Sequence, residues 1–537
     1  MLNKKEESNG YPSPLSTNEE KASVAYGLQY FKTMYYEWHN NSDIYFRDRK
    51  LRYSRNRSYA EGNQDVGKYK DLLSSGGDTS YLNIDWSPVS IIPKFVDVIV
   101  NGMVNQEYDV KAESIDPVAA NKRLEKKKQM LGDMLSKDFL ENLEDETGIP
   151  LAPNGFVAQS SEEVDMFMAL NYKQNVEIAL EKAIEYTLNI NDYDQVKRYM
   201  IRDLVVLGLC AAKTDLSPTS GLSIRYVDPS NLITSFSASS DFKNMRHAGE
   251  VYSMTIADLK QQSGGEFSEE DYIKIANEYA GKNNNPMYFN TSSNYENGDN
   301  TYDYDKFSIN ILDAEFITSH ELKYEKKDNK KGGYSVNKKP SNYKQPKNSK
   351  TNRKAIGSTV KVVYTGKYIV GSDYVFNYGL MKDMPRTKSN LSETRLSYIV
   401  YQPNLYKMKS RSLVDRMVPF ADQIQLAHLK IQHTLAKARP KGAAFEVGSL
   451  ENVSKGDGGT FTPMELQEIY DQTGNIYYRR IDDEGQMTGA MPIQELENGI
   501  GRDFGTLIGV YNHNMQMIRD VTGINEARDA SKPSSEA

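Results

Sequence analysis

Residues 411–438, RSLVDRMVPFADQIQLAHLKIQHTLAKA, and 495–521, ELENGIGRDFGTLIGVYNHNMQMIRDV, decide how this chain reads: two amphipathic helices flanking a Gly-punctuated insert. The first places Val414, Met417, Ala421, Ile424, Ile431, Leu435 and Ala438 at three-, four- and seven-residue steps, which is one apolar face at helical period. Arg439-Pro440-Lys441-Gly442 stops it, because proline lacks the N–H of the next helical bond and glycine permits a reversal. The second repeats the pattern at Leu496, Ile500, Phe504, Leu507, Tyr511, Met515 and Ile518, and adds Gly501, Gly505 and Gly509 four residues apart. Each interior glycine costs ~1 kcal/mol relative to alanine. Three in register therefore imply a compensating gain, the close approach of another helix backbone. A helical hairpin inside an ordinary globular core is the plain alternative.

Working outward, 537 residues allow about three or four domains. At 38% apolar and 26% charged residues the chain is globular but polar-rich. Its one cysteine, Cys210, excludes an internal disulfide framework. The N-terminus has no apolar leader, and no window approaches ~18 uninterrupted apolar residues. The expectation is a soluble intracellular product that no membrane holds. Tyrosine (37) outnumbers phenylalanine (17), which suits large wet interfaces but also follows from an AT-rich codon bias, the weightier reading.

Along the chain, residues 1–24 read as a flexible, mobile terminus and 24–38 as a helix. Ile92–Val104 reads as an apolar helix, 108–113 as extended, and 117–145 as a charged helix. Residues 165–213 suggest two helices. One carries the stripe Val176, Leu180, Ala183, Ile184 and Leu188; the other runs nearly all apolar from Tyr199 to Leu209. Thr255 with Asp258, and Ser268 with Asp271, have the spacing of helix N-caps. The segment 307–378 is β-rich, because FSINILDAEFITSHELKYEK and STVKVVYTGKYIVGSDYVF alternate apolar and polar residues. Between those strands lies the basic tract 323–354, with twelve Lys/Arg and two acids, a net of +10. The whole chain carries −7, which leaves −17 for everything else. Sparse aromatics (Tyr324, Tyr334, Tyr343) argue against a base-stacking platform. The expectation is a disordered, solvated loop or a contact with an acidic partner, ahead of a nucleic-acid arm.

No phosphate loop, HExxH, paired CxxC, EF-hand or GxSxG elbow is present in the sequence. His428 and His433 are five apart on the first helix and do not share a face for a metal. Asp482-Asp483-Glu484 runs into Gly485, a turn more often than a two-metal site. The expectation is therefore no enzyme, no cofactor and no metal. The insert is acidic: residues 439–500 hold eleven acids and five bases. A module gripping DNA would be basic, whereas acidic walls let a duplex slide. Ordinary surface charge weighs about equally.

The run KMKSRSLVDRMVPFADQIQLAHLKIQHTLAKARPKGAAF (407–445) resembles the start of the stem of a tailed-phage portal protein, and IRDVTGINEARDASKPSSEA (518–537) resembles the turn from the second stem helix into the tunnel loop. Upstream, PVSIIPKFVDVIVNGMVNQEYDVKAES (88–114), IRDLVVLGLCAAKTD (201–215) and IRYVDPSNLI (224–233) are similar to wing segments of that family, in the expected order. The type it resembles is that of crAss-like phages. Each motif is a pattern of sizes and turns, and their order is the stronger signal.

The resemblance implies an α+β fold. Residues 25–410 would form a wing, 411–438 and 495–522 a two-helix stem, 439–494 a small α/β clip, and 523–537 the start of a tunnel loop. It implies a homo-oligomeric ring of twelve subunits at one capsid vertex, set among major capsid protein, through which double-stranded DNA is packaged and ejected. A separate terminase and later head–tail adaptor proteins would dock on the clip, with Glu465, Glu468, Asp482, Asp483 and Glu484 as docking candidates. Lys437, Arg439, Arg528 and Lys532 are the channel candidates, and Gly501, Gly505 and Gly509 the stem-packing stripe. The virion is the implied location. The family continues beyond the tunnel loop with a further helix, more wing and often a crown. The sequence here ends at Ala537, so it is a partial sequence, a minimal member or one whose stem is misplaced; the first is the expectation. Outside the resemblance, another structural virion ring protein and a DNA-processing enzyme such as a nuclease remain as alternatives.

Overall fold

A computed structural model describes residues 10–39, 44–73, 84–106, 108–114, 116–147, 158–217, 221–279, 308–328, 333–340, 343, 353–386, 390–405, 408–409, 411–437, 442–446, 468–469, 472–478, 493–496 and 502–524. The fold is α+β, and the chain divides into two compact units.

The larger unit comprises residues 1–103, 199–212 and 227–537. Its centre is an antiparallel sheet ordered Leu232–Thr234, His247–Thr255, Ser308–Asp328, Arg353–Ile369 and Val375–Leu380, with Tyr334–Lys339 pairing the far part of the third strand. Alternation along the third strand sends Leu312, Ala314 and Phe316 to one face, where the helix Val24–His39 lays Phe31, Met34, Tyr35 and Trp38. The approach is close. A Cβ added at Gly366 would lie 2.9 Å from the Phe31 ring, so only glycine fits under that helix. The other face carries Ile317 and Val363 against Leu209, Phe242, Met245, Tyr398 and Val400. Glu315, buried on that side, is satisfied by Ser397 through its backbone N–H (2.9 Å) and hydroxyl (2.5 Å).

The smaller unit comprises residues 104–198 and 213–226. Its helices are Pro117–Thr147, Ser161–Leu170 and Asn175–Ile190, with a small core of Met130, Ala158 and Val164. Over 165–213, three helices therefore appear where two were expected, the last being Tyr193–Val206.

Several expectations meet the structure directly. Both N-caps form: Asp258 N–H donates to Thr255 Oγ1 at 3.2 Å, and Asp271 N–H to Ser268 Oγ at 3.3 Å. Within the supposedly mobile 1–24, residues 10–24 are docked. Asn18 bonds both the carbonyl and the N–H of Glu321, and Lys21 donates to the Ser319 carbonyl at 2.6 Å. Polarity misled there, because Asn18 acts as a substitute strand partner rather than a solvated residue.

The stripe on Asn175–Ile190 faces outward. Val176, Leu180 and Ile184 are 60%, 47% and 42% exposed, while Glu177 and Glu181 are buried. Glu177 accepts the N–H groups of Gln174 (2.9 Å) and Ser114 (2.9 Å) and pairs with Arg123 at 3.2 Å. Glu181 accepts from Ala112 N–H (3.1 Å) and from Lys173 (2.6 Å). These carboxylates serve the extended strip 108–114, whose backbone donors need acceptors. That requirement turned the helix over.

The basic tract is strand in part, and 329–332, 341–342 and 344–352 lie outside the described residues. Residues 323–328, 334–339 and 353–354 lie in strands. Ladder bonding from neighbouring strands holds lysine-rich segments that composition alone assigns to a loop.

Candidate functional site

The two helices of the opening stretch form an antiparallel pair, Leu413–Lys437 and Arg502–Thr522, packed along their lengths. The first begins where Ser412 and Asp415 cap one another: Asp415 N–H donates to Ser412 Oγ at 3.0 Å and Ser412 N–H to Asp415 Oδ2 at 2.9 Å. Val414, Met417, Ala421 and Ile424 are buried as the periodicity requires, but Leu435 is exposed. On the second helix Ile518 is fully buried, Tyr511 and Leu507 are half-buried, and Ile508 and Val510 are exposed. Burial thus fades from the root toward the insert on both helices, so the hairpin projects from its unit.

A polar seam anchors the root. Asp415, Asp422, Gln425 and Gln432 recur at seven-, three- and seven-residue steps on the first helix, and each reaches residues between Arg52 and Val89. Arg55 pairs with Asp415 at 2.7 Å. Asp422 accepts from Tyr59 (2.5 Å), Tyr69 (2.7 Å) and Lys68 (2.7 Å). Burial and the Asp422 carboxylate both raise the two phenols above the ordinary tyrosine value. For Lys68 burial opposes the charge, but bonds to Asp422 and Tyr59 outweigh it and raise its pKa. Gln425, fully buried, accepts from Gln64 (2.9 Å) and from Val89 N–H (2.6 Å), and donates to Ser87 O at 3.3 Å. Gln432 accepts Asp85 N–H at 2.9 Å and its amide meets His428 at 2.9 Å.

At the other end the insert closes as a three-stranded sheet. Gly442–Glu446, directly after the first helix, pairs antiparallel with Ile493–Leu496 and parallel with Ile476–Tyr478. The register Gly442↔Leu496 makes the two crossings of the hairpin top sheet neighbours. Residues 493–496 are accordingly strand, and the second helix starts at Arg502 rather than 495. Leu496 fits the helical stripe but lies in this strand, because a single apolar residue cannot distinguish the two periods. A parallel pair needs a crossover between its strands, and most of 447–475 lies outside the described residues.

Of the sequence-derived candidates, Gly505 and Gly509 are exposed, and a Cβ built at either meets nothing within 4 Å. Their face is not the one packed on Leu413–Lys437. Glu468 is exposed. Lys437 ends the first helix. Arg439, Glu465, Asp482, Asp483, Glu484, Gly501, Arg528 and Lys532 lie outside the described residues. The polar seam escaped the sequence reading, although its seven-three-seven spacing of Asp and Gln was visible.

Elsewhere in the larger unit a cleft of about 1080 Å³ is lined by Glu37, Arg49, Arg52, Arg246 and His247. Two of its charges serve the fold: Arg49 bonds the Leu232 and Pro229 carbonyls, and Glu37 accepts from Tyr11 at 2.6 Å. Burial, aided by Arg246, pushes His247 down to about 4, so its ring is neutral. Burial raises the Cys210 thiol to about 11, leaving it protonated and unreactive at neutral pH. Among the described residues no group of three or more His, Cys, Asp or Glu is arranged to hold a metal, and no helix is long and apolar enough to cross a membrane.

No family model and no curated protein matches this chain.

Proposed function

We propose that this chain is a portal subunit, the head–tail connector of a tailed phage. It assembles into a homo-oligomeric ring at a unique capsid vertex and conducts double-stranded DNA during packaging and ejection. The observation that carries the reading is the projecting helical hairpin, braced by polar contacts at its root and closed at its far end by a separate small sheet. A translocation channel asks for such a rod, stiff at the base and carrying a docking module at its tip.

On this reading the insert 439–494 is the clip, and its acidic surface receives terminase and then adaptor proteins. The open face at Gly505 and Gly509 meets a stem helix of the neighbouring subunit, since no described residue comes within 4 Å of a Cβ built there. The protein supplies no catalysis; ATP hydrolysis belongs to the terminase.

The test is imaging and mass measurement of the purified protein. A closed ring with an axial channel wide enough for duplex DNA, and the 439–494 insert at its narrow end, is the expected result. A ring without such a channel points to another virion ring protein. Plasmid cleavage with a divalent metal would point to a nuclease.

A further inference from the structure

The strands Ser308–Asp328 and Arg353–Ile369 stay in register from Ile311↔Ile369 to Lys327↔Arg353. The sheet's other long-range partners stop earlier: His247–Thr255 reaches Phe316, and Val375–Leu380 reaches Tyr364. Beyond Leu322, among the described residues, only Tyr334–Lys339 joins the two, making a three-stranded arm. One face of the arm is polar or small, shared by Glu325, Asn337, Ala355 and Gly357. Glu325 is buried there, paired with Lys339 at 3.1 Å and accepting from Tyr343 at 2.8 Å.

The opposite face is open. Cross-strand partners share a face, so Tyr324 with Lys338 and Ile356, and Lys326 with Val336, stand together on it. Tyr334, two residues from Val336, shares that face and lies 65% exposed, with Val336 at 50% and Ile356 at 44%. Lys326 sits over the Tyr334 ring at 4.2 Å. A three-stranded ribbon that leaves its apolar face in water is marginal, and the lysines that protect its edge strand from indiscriminate pairing still admit a partner bearing acids.

We propose that this arm clasps a second copy of this chain, its Tyr334–Val336–Ile356 face covered by apolar surface and Lys326 and Lys338 meeting carboxylates. The proposal rests on the ring reading and names one of the elements that links subunits. Charge complementarity selects the occupant: the tract containing the arm carries +10, and the rest of each chain −17. A DNA duplex would engage the lysines but leave the apolar trio uncovered, whereas an acidic protein surface covers both.

Two variants of the full chain test it. One joins Lys323 to Gly357, which are register partners, through an Asn-Gly turn, removing 324–356 without disturbing the ladder beneath. The other is Lys326→Glu with Lys338→Glu, which keeps the arm; thermal unfolding of each monomer checks its fold. Mass photometry across concentration, at low and high salt, should show wild-type association that weakens with salt. The double variant should associate at least about tenfold more weakly, the shortened chain should lose that association, and Lys326→Arg with Lys338→Arg should restore it. Unchanged association in both altered chains overturns the arm while leaving the ring intact. Arm-dependent association that images as something other than a ring supports the arm and sinks the ring. A wild type that stays monomeric throughout overturns the proposal, as does arm-dependent binding of a duplex oligonucleotide with self-association unchanged.

Discussion

The backbone N–H of Val89 donates to the side-chain oxygen of Gln425 at 2.6 Å, tying an N-terminal segment to the middle of the first hairpin helix. That side chain is fully buried, and the bond fixes where the helix leaves its unit. Gln425→Leu should leave the Val89 donor and the Ser87 acceptor without their partner. An unsatisfied buried group costs roughly 1–3 kcal/mol. Urea denaturation of the variant is expected to show a loss of that order; an unchanged midpoint would mean the seam does not brace the hairpin.

Asp422 gives a pH signature. Lys68, Tyr59 and Tyr69 all have raised folded-state pKa values. A raised value means the unfolded chain loses its proton first, so the stabilisation is complete below the unfolded pKa values near 10 and is lost as pH rises from there toward the folded ones. The denaturation midpoint of the wild type should therefore fall between pH 9 and pH 11, whereas Asp422→Asn, weaker at pH 8, should fall less steeply. Parallel pH profiles would remove Asp422 as the cause.

Glu177 and Glu181 act with the opposite sign. Both have lowered values, Glu181 chiefly through its bond from Lys173, and Glu177 because the N–H bonds from Gln174 and Ser114 overcome burial. Their contribution is present above the ordinary glutamate value near 4.5 and is lost as pH falls through the folded one. Glu177→Gln should loosen residues 108–114 at neutral pH and blunt their acid-side opening. Hydrogen exchange of that strip at pH 7 and pH 4 reads both effects; equal protection in the two proteins would refute the assignment.

Gly505 separates folding from assembly. Nothing stands within 4 Å of an added Cβ, so Gly505→Leu should stabilise the isolated chain by roughly 0.5–1 kcal/mol through helix propensity. In the ring that leucine would enter a helix–helix contact, where overpacking costs about 1–3 kcal/mol. The expected outcome is a higher melting temperature for the monomer with fewer closed rings by electron microscopy. Rings in normal yield would place that face in solvent.

Much of this arrangement was written in local pattern. The stripe from Val414 to Ile424, the apolar helix Ile92–Val104, the alternation in 308–326 and the caps at Thr255 and Ser268 each depend on neighbours within a few residues. Period and capping chemistry express such neighbours directly. The resemblance to portal proteins likewise rested on the order of such segments.

What tertiary structure alone decided is where polar groups found partners. Composition sends Glu177 and Glu181 to solvent, yet unpaired amides at 108–114 bring them inward and turn an apolar stripe outward. Lysines in 323–354 read as a loop until strands 6 to 34 positions apart supply ladder bonds to the described part of the tract. Gln425 and Asp422 look like the wet face of a helix until Val89, Gln64, Tyr59 and Tyr69 arrive from over three hundred residues away. Hydrophobic burial follows a local period, whereas a buried hydrogen bond requires one particular partner at one particular distance, and only the folded chain brings that partner within reach.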